Sequence, residues 1–308
     1  MKDFIDLSDF TGKQLQTLLD RAIADKALFR QGRLPQTLQQ KTLAMIFEKP
    51  SLRTRVSFET AMTDLGGHAI YLAQGDIGLG KREAIQDIAR TLARLCDGIM
   101  ARTYSHQLLE QLGKHASVPV INALTDYSHP CQAMADMMTI QEHFGPLTGR
   151  TVAFVGDGNN VARSLATACA KLNMRFILAC PEGYELEAGF VAGARALGGQ
   201  DCCAIVHDSD AAVITADVVY TDTWISMGQE AQREERLQEF EGFQVNRALM
   251  AAAPKHAIVM HCLPAYRGCE ISDETFEDHA GTIFDQTENR VHFQRTLLNV
   301  LIGEGGVK

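Results

Sequence analysis

Residues 42–65 read TLAMIFEKPSLRTRVSFETAMTDL. The apolar run at 42–47 has the length of a buried strand, and it ends in a polar turn that contains Pro50. Ser51 opens a helical pattern at 51–65, where its hydroxyl can cap the first free backbone N–H groups. A strand that leads through a short turn into a helix is the repeating unit of α/β folds with parallel sheets.

The same alternation of short apolar runs and longer helical patterns continues along the chain, with helices predicted at 83–95 and 133–143. It indicates an α/β fold of two doubly wound domains with mainly parallel sheets. The predicted strands of the two series are residues 42–47, 69–72, 98–101 and 118–122, then 152–155, 176–180, 217–220, 257–261 and 282–284.

The length of 308 residues suits two domains of about 150 residues each. We predict a first domain at 1–145 and a second at 146–289. A final helix near 290–303 is expected to pack back on the first domain, although its apolar pattern would suit either half. Two domains imply a cleft, and ligands of open parallel sheets bind beyond the carboxyl ends of strands, so we expect the active site in that cleft.

Composition excludes several classes of protein. The net charge of −9 disfavours nucleic-acid or anionic-membrane partners, which need a basic surface. The eight cysteines include no CxxC pair and no zinc-like Cys/His spacing, so we predict reduced thiols and no metal site. The first residues, MKDFIDLSDF, lack the basic region of a signal peptide, and no segment approaches roughly 18 apolar residues, so a cytoplasmic protein is predicted.

The helix start at Ser51 has the features of a phosphate site. Free N–H groups and the helix dipole favour an anion there, and Arg53 adds a bidentate donor. The alternative is an ordinary capped helix with solvated arginines. That alternative is the better interpretation for Arg55, because residues two apart on a helix point to different faces.

Three motifs follow one another in the first half: Ser51-Leu-Arg-Thr-Arg55, Met100-Ala-Arg-Thr103 and His129-Pro-Cys-Gln132. Taken singly, Arg102 could be a surface charge and His129 a turn residue. Together the motifs resemble the carbamoyl phosphate site of the aspartate and ornithine carbamoyltransferases, and the resemblance implies that Arg102 and His129 help Thr54 to polarise the carbonyl oxygen. The carbamoyl phosphate ligands implied in this half are Ser51, Leu52, Arg53, Thr54, Arg102, His129, Pro130, Cys131 and Gln132.

Residues 74–82 read QGDIGLGKR, and three glycines in this segment predict a surface loop. In the family this loop reaches the site of an adjacent subunit, and the position of Gly78 usually carries a Gln or His that touches carbamoyl phosphate. Gly78 has no side chain, so it is left out of the predicted site, and Lys81 or Arg82 is the alternative donor. The same resemblance implies a homotrimer or a multiple of trimers.

Residues 152–161 read VAFVGDGNNV, which is similar at first to a dinucleotide-binding turn. Val161 occupies the place of the third glycine, and no acidic residue ends the next strand at Cys180, so NAD binding is disfavoured. Resemblance to the ornithine enzymes of the family implies instead that Asn160 holds the α-carboxylate and α-amine of an amino acid.

Two further motifs end predicted strands in the second half. Residues 220–230 read YTDTWISMGQE and contain Asp222, and residues 261–268 read HCLPAYRG and contain Cys262. By themselves, Asp222 could be a turn or capping carboxylate and Cys262 a buried inert thiol. Asp-x-x-x-Ser-Met-Gly resembles the sequence that separates the ornithine enzymes from aspartate carbamoyltransferases, whose dianionic substrate would need basic residues here.

The resemblance implies a complete set of roles for the second half and the last helix. Asp222 and Cys262 hold the δ-amine of ornithine, and Ser226 and Met227 bind ornithine beside Asn160. Carbamoyl phosphate additionally meets Cys262, the backbone of Leu263, and Arg290. The residues implied in catalysis are Arg102, His129, Asp222 and Cys262.

The expected activity is therefore transfer of a carbamoyl group from carbamoyl phosphate to L-ornithine, which gives citrulline in arginine biosynthesis. No metal or organic cofactor is expected, because the phosphate leaving group is already activated. Two alternatives are a related transferase for putrescine or an N-acylated ornithine, and a non-catalytic protein that binds carbamoyl phosphate. The sequence leaves open whether the reaction runs in synthesis or breakdown of arginine, and synthesis is the default.

Overall fold

The computed structural model describes residues 1–78, 83–225 and 230–303. It divides into two compact units: unit 1 is formed by Met1–Met138 and Asn289–Lys308, and unit 2 by Thr139–Glu288. Each unit contains one parallel sheet with helices packed on its strands, so the predicted α/β fold class is confirmed. In the described part of the chain, no helix combines the length and the apolar character needed to cross a lipid bilayer.

Unit 1 contains a four-stranded sheet in which every neighbouring pair is parallel. Its strands are β1 (Thr42–Phe47), β2 (His68–Ala73), β3 (Gly98–Arg102) and β4 (Val120–Leu124). The order across the sheet is β2-β1-β3-β4, so the direction of winding reverses between β1 and β3. Ligands of such sheets bind beside the carboxyl ends of the two strands at the reversal.

Unit 2 contains a five-stranded parallel sheet. Its strands are β5 (Thr151–Val155), β6 (Arg175–Ala179), β7 (Cys203–Val206), β8 (Val218–Thr221) and β9 (Ile258–His261). The order is β7-β6-β5-β8-β9, so the reversal lies between β5 and β8. The carboxyl ends of β5 and β8 are therefore the expected place for a ligand.

Helices connect and cover the strands of both sheets. The α-helices are α1 (Gly12–Arg30), α2 (Leu52–Asp64), α3 (Gln74–Ile77), α4 (Ile85–Leu95), α5 (His106–His115), α6 (Pro130–Phe144), α7 (Asn160–Lys171), α8 (Ala188–Gly198), α9 (Ser209–Val213), α10 (Arg233–Glu239), α11 (Arg247–Ala252), α12 (Asp273–Asp278) and α13 (Ala280–Leu298). Short 3-10 helices lie at Leu7–Asp9, Gln200–Cys202 and Glu230–Gln232, and a π-helical turn at Asn299–Gly303 follows α13.

The strand predicted at 282–284 is wrong, because these residues lie inside α13. Their apolar side chains do not share one environment: Ile283 is fully buried, whereas Phe284 is 56% exposed. Ile283 instead begins a series of buried positions at intervals of three and four residues, which is the period of a helix. The series is Ile283, Gln286, Arg290, Phe293 and Leu297.

Two other differences concern the ends and edges of strands. β7 was not predicted, although its four residues are part of an apolar run between Asp201 and His207; three of the four are only partly buried. The strand predicted at 118–122 occurs as Val120–Leu124. Pro119 immediately before it has no N–H to donate to a neighbouring strand, which explains the later start.

Asp97, the residue before β3, holds together the amino-terminal ends of the two central strands of unit 1. Its Oδ2 accepts a hydrogen bond from the backbone N of Thr42 at 2.9 Å, and its Oδ1 accepts one from Nζ of Lys41 at 2.9 Å. The backbone N of Asp97 donates in turn to the carbonyl of Thr42 at 2.8 Å. One carboxylate therefore sets the register of the two central strands β1 and β3.

Unit 2 repeats this arrangement with Asp217, the residue before β8. Its Oδ2 accepts from the backbone N of Thr151 at 2.9 Å, its Oδ1 accepts from Nη1 of Arg150 at 2.9 Å, and its own N donates to the carbonyl of Thr151 at 2.9 Å. We call these two arrangements the Asp97 clamp and the Asp217 clamp. Both lie where the strands of their sheet begin, whereas the candidate site residues lie where the strands end.

Candidate active site

In unit 1 the turn after β1 leads into α2, and Ser51 is the N-cap of this helix, as predicted. The Ser51 Oγ accepts from the backbone N of Thr54 at 3.3 Å and lies 3.2 Å from the Thr54 Oγ1. Thr54 is buried, whereas Leu52 is 74% exposed. As the first residue of α2, Leu52 has a backbone N–H that no carbonyl within the helix accepts, and it can offer this group to a ligand. The first turn of α2 thus combines hydroxyl groups with the positive end of a helix dipole.

Arg55 points away from this helix end. Its Nε donates to Oε1 of Glu59 at 3.0 Å, and its guanidinium lies over the ring of Tyr71 at 4.1 Å. Both partners are part of unit 1, and the Arg55 side chain is half exposed. These contacts fit the interpretation of Arg55 as a surface residue.

His129 is the centre of a basic cluster at the carboxyl edge of the unit 1 sheet. Burial lowers the pKa of His129 well below its usual range, and the positive charges of Arg290, Arg102 and Arg53 lower it further, in that order. Arg102 is the last residue of β3 and lies at the reversal of the sheet. The positive charges of the three guanidinium groups therefore act on an imidazole that stays neutral near pH 7.

Arg290 comes from α13, near the end of the chain, and is almost completely buried. Its Nη1 donates to Oε1 of Gln132 at 2.6 Å, and its Nη2 to Oγ1 of Thr54 at 3.4 Å. Gln132 is itself held by Asp136, because its Nε2 donates to Oδ1 of that residue at 2.8 Å. Arg290 thus joins the helix end at Thr54 to the start of α6.

The remaining predicted residues of this half begin α6. Pro130 is the first residue of the helix, a position where its missing N–H costs no hydrogen bond. The Cys131 thiol donates to the carbonyl of Asn122 at 3.3 Å, and burial raises its pKa to about 12, although the charge of Arg290 lowers it. The thiol of Cys131 is therefore neutral near pH 7 and is not a nucleophile there.

In unit 2, Asp222 follows β8 and accepts hydrogen bonds from three donors within the described part of the chain. Oδ1 accepts from the backbone N of Thr223 at 2.8 Å and from Sγ of Cys262 at 3.0 Å. Oδ2 accepts from Nδ2 of Asn159 at 2.9 Å. Asp222 and Cys262 are both nearly buried, so the carboxylate lies in surroundings that strengthen its attraction for a cation.

Asn159, which was not predicted as a site residue, makes this contact. Asn159 is the N-cap of α7, and Asn160 is the first residue of the helix, with Oγ of Ser164 donating to its carbonyl at 3.0 Å. The preference of Asn for N-cap positions was a usable signal for the cap. The contact with Asp222 could not be read from the sequence.

A second pair missed in the sequence consists of Asp157 and Arg236. Nη1 of Arg236 donates to Oδ2 of Asp157 at 2.8 Å and to the carbonyl of Trp224 at 2.8 Å. Burial raises the pKa of Asp157, the contact with Arg236 lowers it, and the nearby charge of Asp222 raises it again. Arg236 thus ties the turn after β5 to the segment that follows Asp222.

The segment after β9 is arranged around His261 and Glu270, both fully buried. Nδ1 of His261 accepts from the backbone N of Leu263 at 2.9 Å, so its Nε2 carries the proton and donates to Oε1 of Glu270 at 3.1 Å. The backbone N of Tyr266 also donates to this Oε1, at 2.6 Å. These bonds fix the backbone on both sides of Cys262 and hold Leu263 at a φ of 60°.

Asp222, His261 and Cys262 are the only group, within the described ranges, whose ligand atoms are close enough to hold a metal ion, all lying within 4.8 Å of one another. The donors are already engaged. Both ring nitrogens of His261 are used by Leu263 and Glu270, and the Cys262 thiol donates to Asp222. A metal ion would have to break these bonds, so the arrangement fits an organic cation better than a metal.

Four residues considered in the sequence analysis lie outside the described residues: Ser226, Met227, Lys81 and Arg82. Gly78 is described and ends α3 in the left-handed conformation, with φ 58° and ψ 47°. Residues with a Cβ rarely adopt this conformation, which gives a backbone reason for glycine at this position.

Comparison with known proteins places these features in a family. Residues 2–142 match the family model described as aspartate/ornithine carbamoyltransferase, carbamoyl-P binding domain. Residues 148–301 match the model for the Asp/Orn binding domain of the same family.

Individual relatives agree over almost the whole chain. A Methanosarcina acetivorans protein named ornithine carbamoyltransferase is 48% identical over 297 residues, which cover 96% of this chain and 98% of the relative. The Pyrococcus furiosus protein named ornithine carbamoyltransferase, anabolic, is 47% identical, with 100% and 98% covered. A solved ornithine carbamoyltransferase structure from Pyrococcus furiosus has a TM-score of 0.95 at 47% identity, with 100% of this chain and 98% of that chain covered.

Proposed function

This chain belongs to the aspartate/ornithine carbamoyltransferase family, and we propose that it transfers the carbamoyl group of carbamoyl phosphate to the δ-amine of L-ornithine, giving L-citrulline and phosphate. The observation that carries the proposal is Asp222, a buried carboxylate at the reversal of the unit 2 sheet. A carboxylate in this place binds a cationic amino acid such as ornithine and repels aspartate. The name of the Pyrococcus furiosus relative supports the direction of arginine synthesis.

Carbamoyl phosphate is assigned to the basic cluster of unit 1. Arg53, Arg102 and Arg290 supply positive charge, and the start of α2 supplies free N–H groups for the phosphate. Thr54 and neutral His129, together with Arg102, polarise the carbonyl oxygen and stabilise the negative charge that develops on it. A neutral imidazole suits this task, because it can donate a hydrogen bond without taking up a proton.

Ornithine is assigned to unit 2. Asp222 and Cys262 hold the δ-amine, and Asn160 takes the α-carboxylate and α-amine. Ser226 and Met227 complete this ornithine site by family resemblance. We further assign carbamoyl phosphate binding to residues 1–145 and the helix near 290–303, with contributions from Cys262 and the Leu263 backbone, and ornithine binding to residues 146–289.

The amine must lose a proton before it can attack. Alkylamines have a pKa near about 10.4, so ornithine arrives mostly protonated at neutral pH. The ammonium form first gives one proton to the solvent. The neutral amine then attacks the carbamoyl carbon and a C–N bond forms, which leaves negative charge on the former carbonyl oxygen and positive charge on the attacking nitrogen. The C–O bond to phosphate breaks as the carbonyl re-forms, the attacking nitrogen gives its extra proton to the leaving phosphate, and Arg53, Arg102 and Arg290 stabilise the charge of that phosphate.

The amine specificity is tested by mixing the protein with carbamoyl phosphate and, separately, L-ornithine, L-aspartate, putrescine and N-acetylornithine. Carbamoylated product and phosphate are measured. Product with ornithine alone is expected. Product with another amine would contradict the assignment of ornithine, and absence of product with all four would favour a non-catalytic binding protein.

Two variants sharpen this test. Asp222→Asn removes the charge of the proposed amine site and should abolish most of the activity with ornithine. Asp208→Asn is the matched control, because Asp208 is an exposed N-cap of α9 where Asn serves equally well. Equal activity of both variants would contradict the role of Asp222.

The family resemblance also supports a homotrimer that acts in the cytoplasm without cofactor. Sedimentation equilibrium of the purified protein tests the assembly. A monomer that retains full activity would contradict it.

A further inference from the structure

The side chain of Asn159 joins two contacts in unit 2. Its Oδ1 accepts from the backbone N of Val161 at 2.9 Å and of Ala162 at 3.1 Å, which caps α7. Its Nδ2 donates to Oδ2 of Asp222 at 2.9 Å. One planar amide therefore fixes the start of α7 against the carboxylate that follows β8.

The donors around Asp222 leave a defined position for a ligand. A carboxylate has about four lone-pair positions, two on each oxygen. Oδ1 already accepts from Thr223 and Cys262, whereas Oδ2 accepts only from Asn159 among the residues that the structure describes. The position left for a further donor is therefore on the oxygen that Asn159 holds.

We propose that Asn159 is a positioning residue for the amine acceptor: by holding Oδ2, it fixes the orientation of Asp222 and directs the remaining lone pair of this oxygen toward the δ-amine. The proposal rests on the proposed function, because that function places the amine on Asp222. Asn is the residue that suits both contacts, since its amide offers an acceptor to the helix and a donor to the carboxylate.

The charged groups near Asp222 explain why a hydrogen-bond donor is needed at position 159. Asp157 lies near enough for the charge of Asp222 to raise its pKa, and its own charge is balanced by Arg236. An acidic residue at position 159 would add a third carboxylate to this pair and would push the Asp222 side chain away. A serine would keep an acceptor for the helix but could not reach Asp222.

The experiment separates the cap from the contact with Asp222. Asn159→Ser and Asn159→Asp both keep a good N-cap, so α7 should form and the unfolding temperature should stay close to that of the wild type. Asn246→Asp is the matched control: Asn246 caps α11 by accepting from the backbone N of Leu249 at 3.0 Å, and it does not contact Asp222. The readouts are steady-state constants for ornithine and the inhibition constant of L-norvaline, which has the same backbone groups but no δ-amine.

Both Asn159 variants are expected to lower kcat/KM for ornithine about 10- to 100-fold, with the larger loss in Asn159→Asp, because a hydrogen bond to a charged group is lost. The inhibition constant of norvaline should change less than about twofold, since the lost contact serves the amine alone. Asn246→Asp should match the wild type. Unchanged kcat/KM in the Asn159 variants, or an equal loss of norvaline binding, would overturn the proposal.

A double variant gives the decisive comparison. If Asn159 acts through Asp222, Asn159→Ser adds no further loss to Asp222→Asn, whereas independent roles multiply the two losses and overturn the proposal. Turnover of ornithine by the wild type distinguishes a failure of the proposed function from a failure of the role given to Asn159. A wild type that is inactive with ornithine overturns the proposed function and this inference with it, and an active wild type with unaffected variants overturns this inference alone.

Discussion

His129 should make the folded protein sensitive to acid. Burial and then the charges of Arg290, Arg102 and Arg53 lower its pKa, so it is neutral in the folded state. In the unfolded chain it takes up a proton below about pH 6.5. Because the unfolded state then binds one more proton, each further pH unit removes about 1.4 kcal/mol from the free energy of unfolding. Between about pH 6.5 and pH 5.0, where the unfolded chain goes from about half to almost fully protonated at this position, His129 alone should account for a loss of up to about 1.6 kcal/mol.

The perturbation is His129→Asn, which removes the titrating group. Urea unfolding is followed by circular dichroism, and hydrogen exchange of α6 reports on unit 1 at fixed protein concentration. The free energy of unfolding of the wild type should fall more than that of the variant over this pH range, by up to about 1.6 kcal/mol. The comparison uses the change in the free energy of unfolding with pH, so a general loss of stability in the variant does not affect it. Parallel pH dependence in both proteins would refute the reasoning.

Three further predictions concern other contacts. Asp222→Asn should lower kcat/KM for ornithine about 100-fold and leave KM for carbamoyl phosphate within about threefold in steady-state assays; similar effects on both substrates would contradict separate sites. Glu270→Gln removes the carboxylate that holds the segment around Cys262, so kcat should fall about tenfold with an unchanged unfolding temperature, and wild-type kcat would refute this. Asp217→Asn should cost about 2 kcal/mol near pH 7 in urea unfolding. Burial raises the pKa of Asp217, but hydrogen bonds led by that from Thr151 lower it overall, so this cost should shrink as the pH falls below about 4, and a constant cost would argue against the clamp.

The features that the sequence could predict are those that depend on neighbouring residues. The step from β1 through the turn to α2, with Ser51 as the cap, follows from apolar pattern and capping preference over about a dozen residues. The places of Arg102, Asp222 and Cys262 at strand ends follow from the same local pattern. Their chemical roles came from family resemblance and remain predictions.

The features that could not be predicted from the sequence depend on residues far apart in the chain. Asn159 and Asp222 are 63 positions apart, and Arg236 is 79 positions from Asp157, so neither pair has a local pattern. Arg290 similarly meets Gln132 across 158 positions. The wrong strand at 282–284 has the opposite cause, because Thr282 and the apolar Ile283 and Phe284 fit either a strand or one turn of a helix, and only the longer buried period of α13 decides.

An inherited or engineered substitution at the Asp97 or Asp217 clamp should act differently from one at the proposed ligand contacts. Both clamps lie at the edge of a sheet that carries no proposed ligand contact, so a defect there reduces the number of folded molecules that a cell retains. A lower growth temperature or raised expression should restore the wild-type phenotype in such a case. A defect at the opposite edge leaves the amount of protein unchanged and reduces what each molecule can do, and neither treatment would correct it.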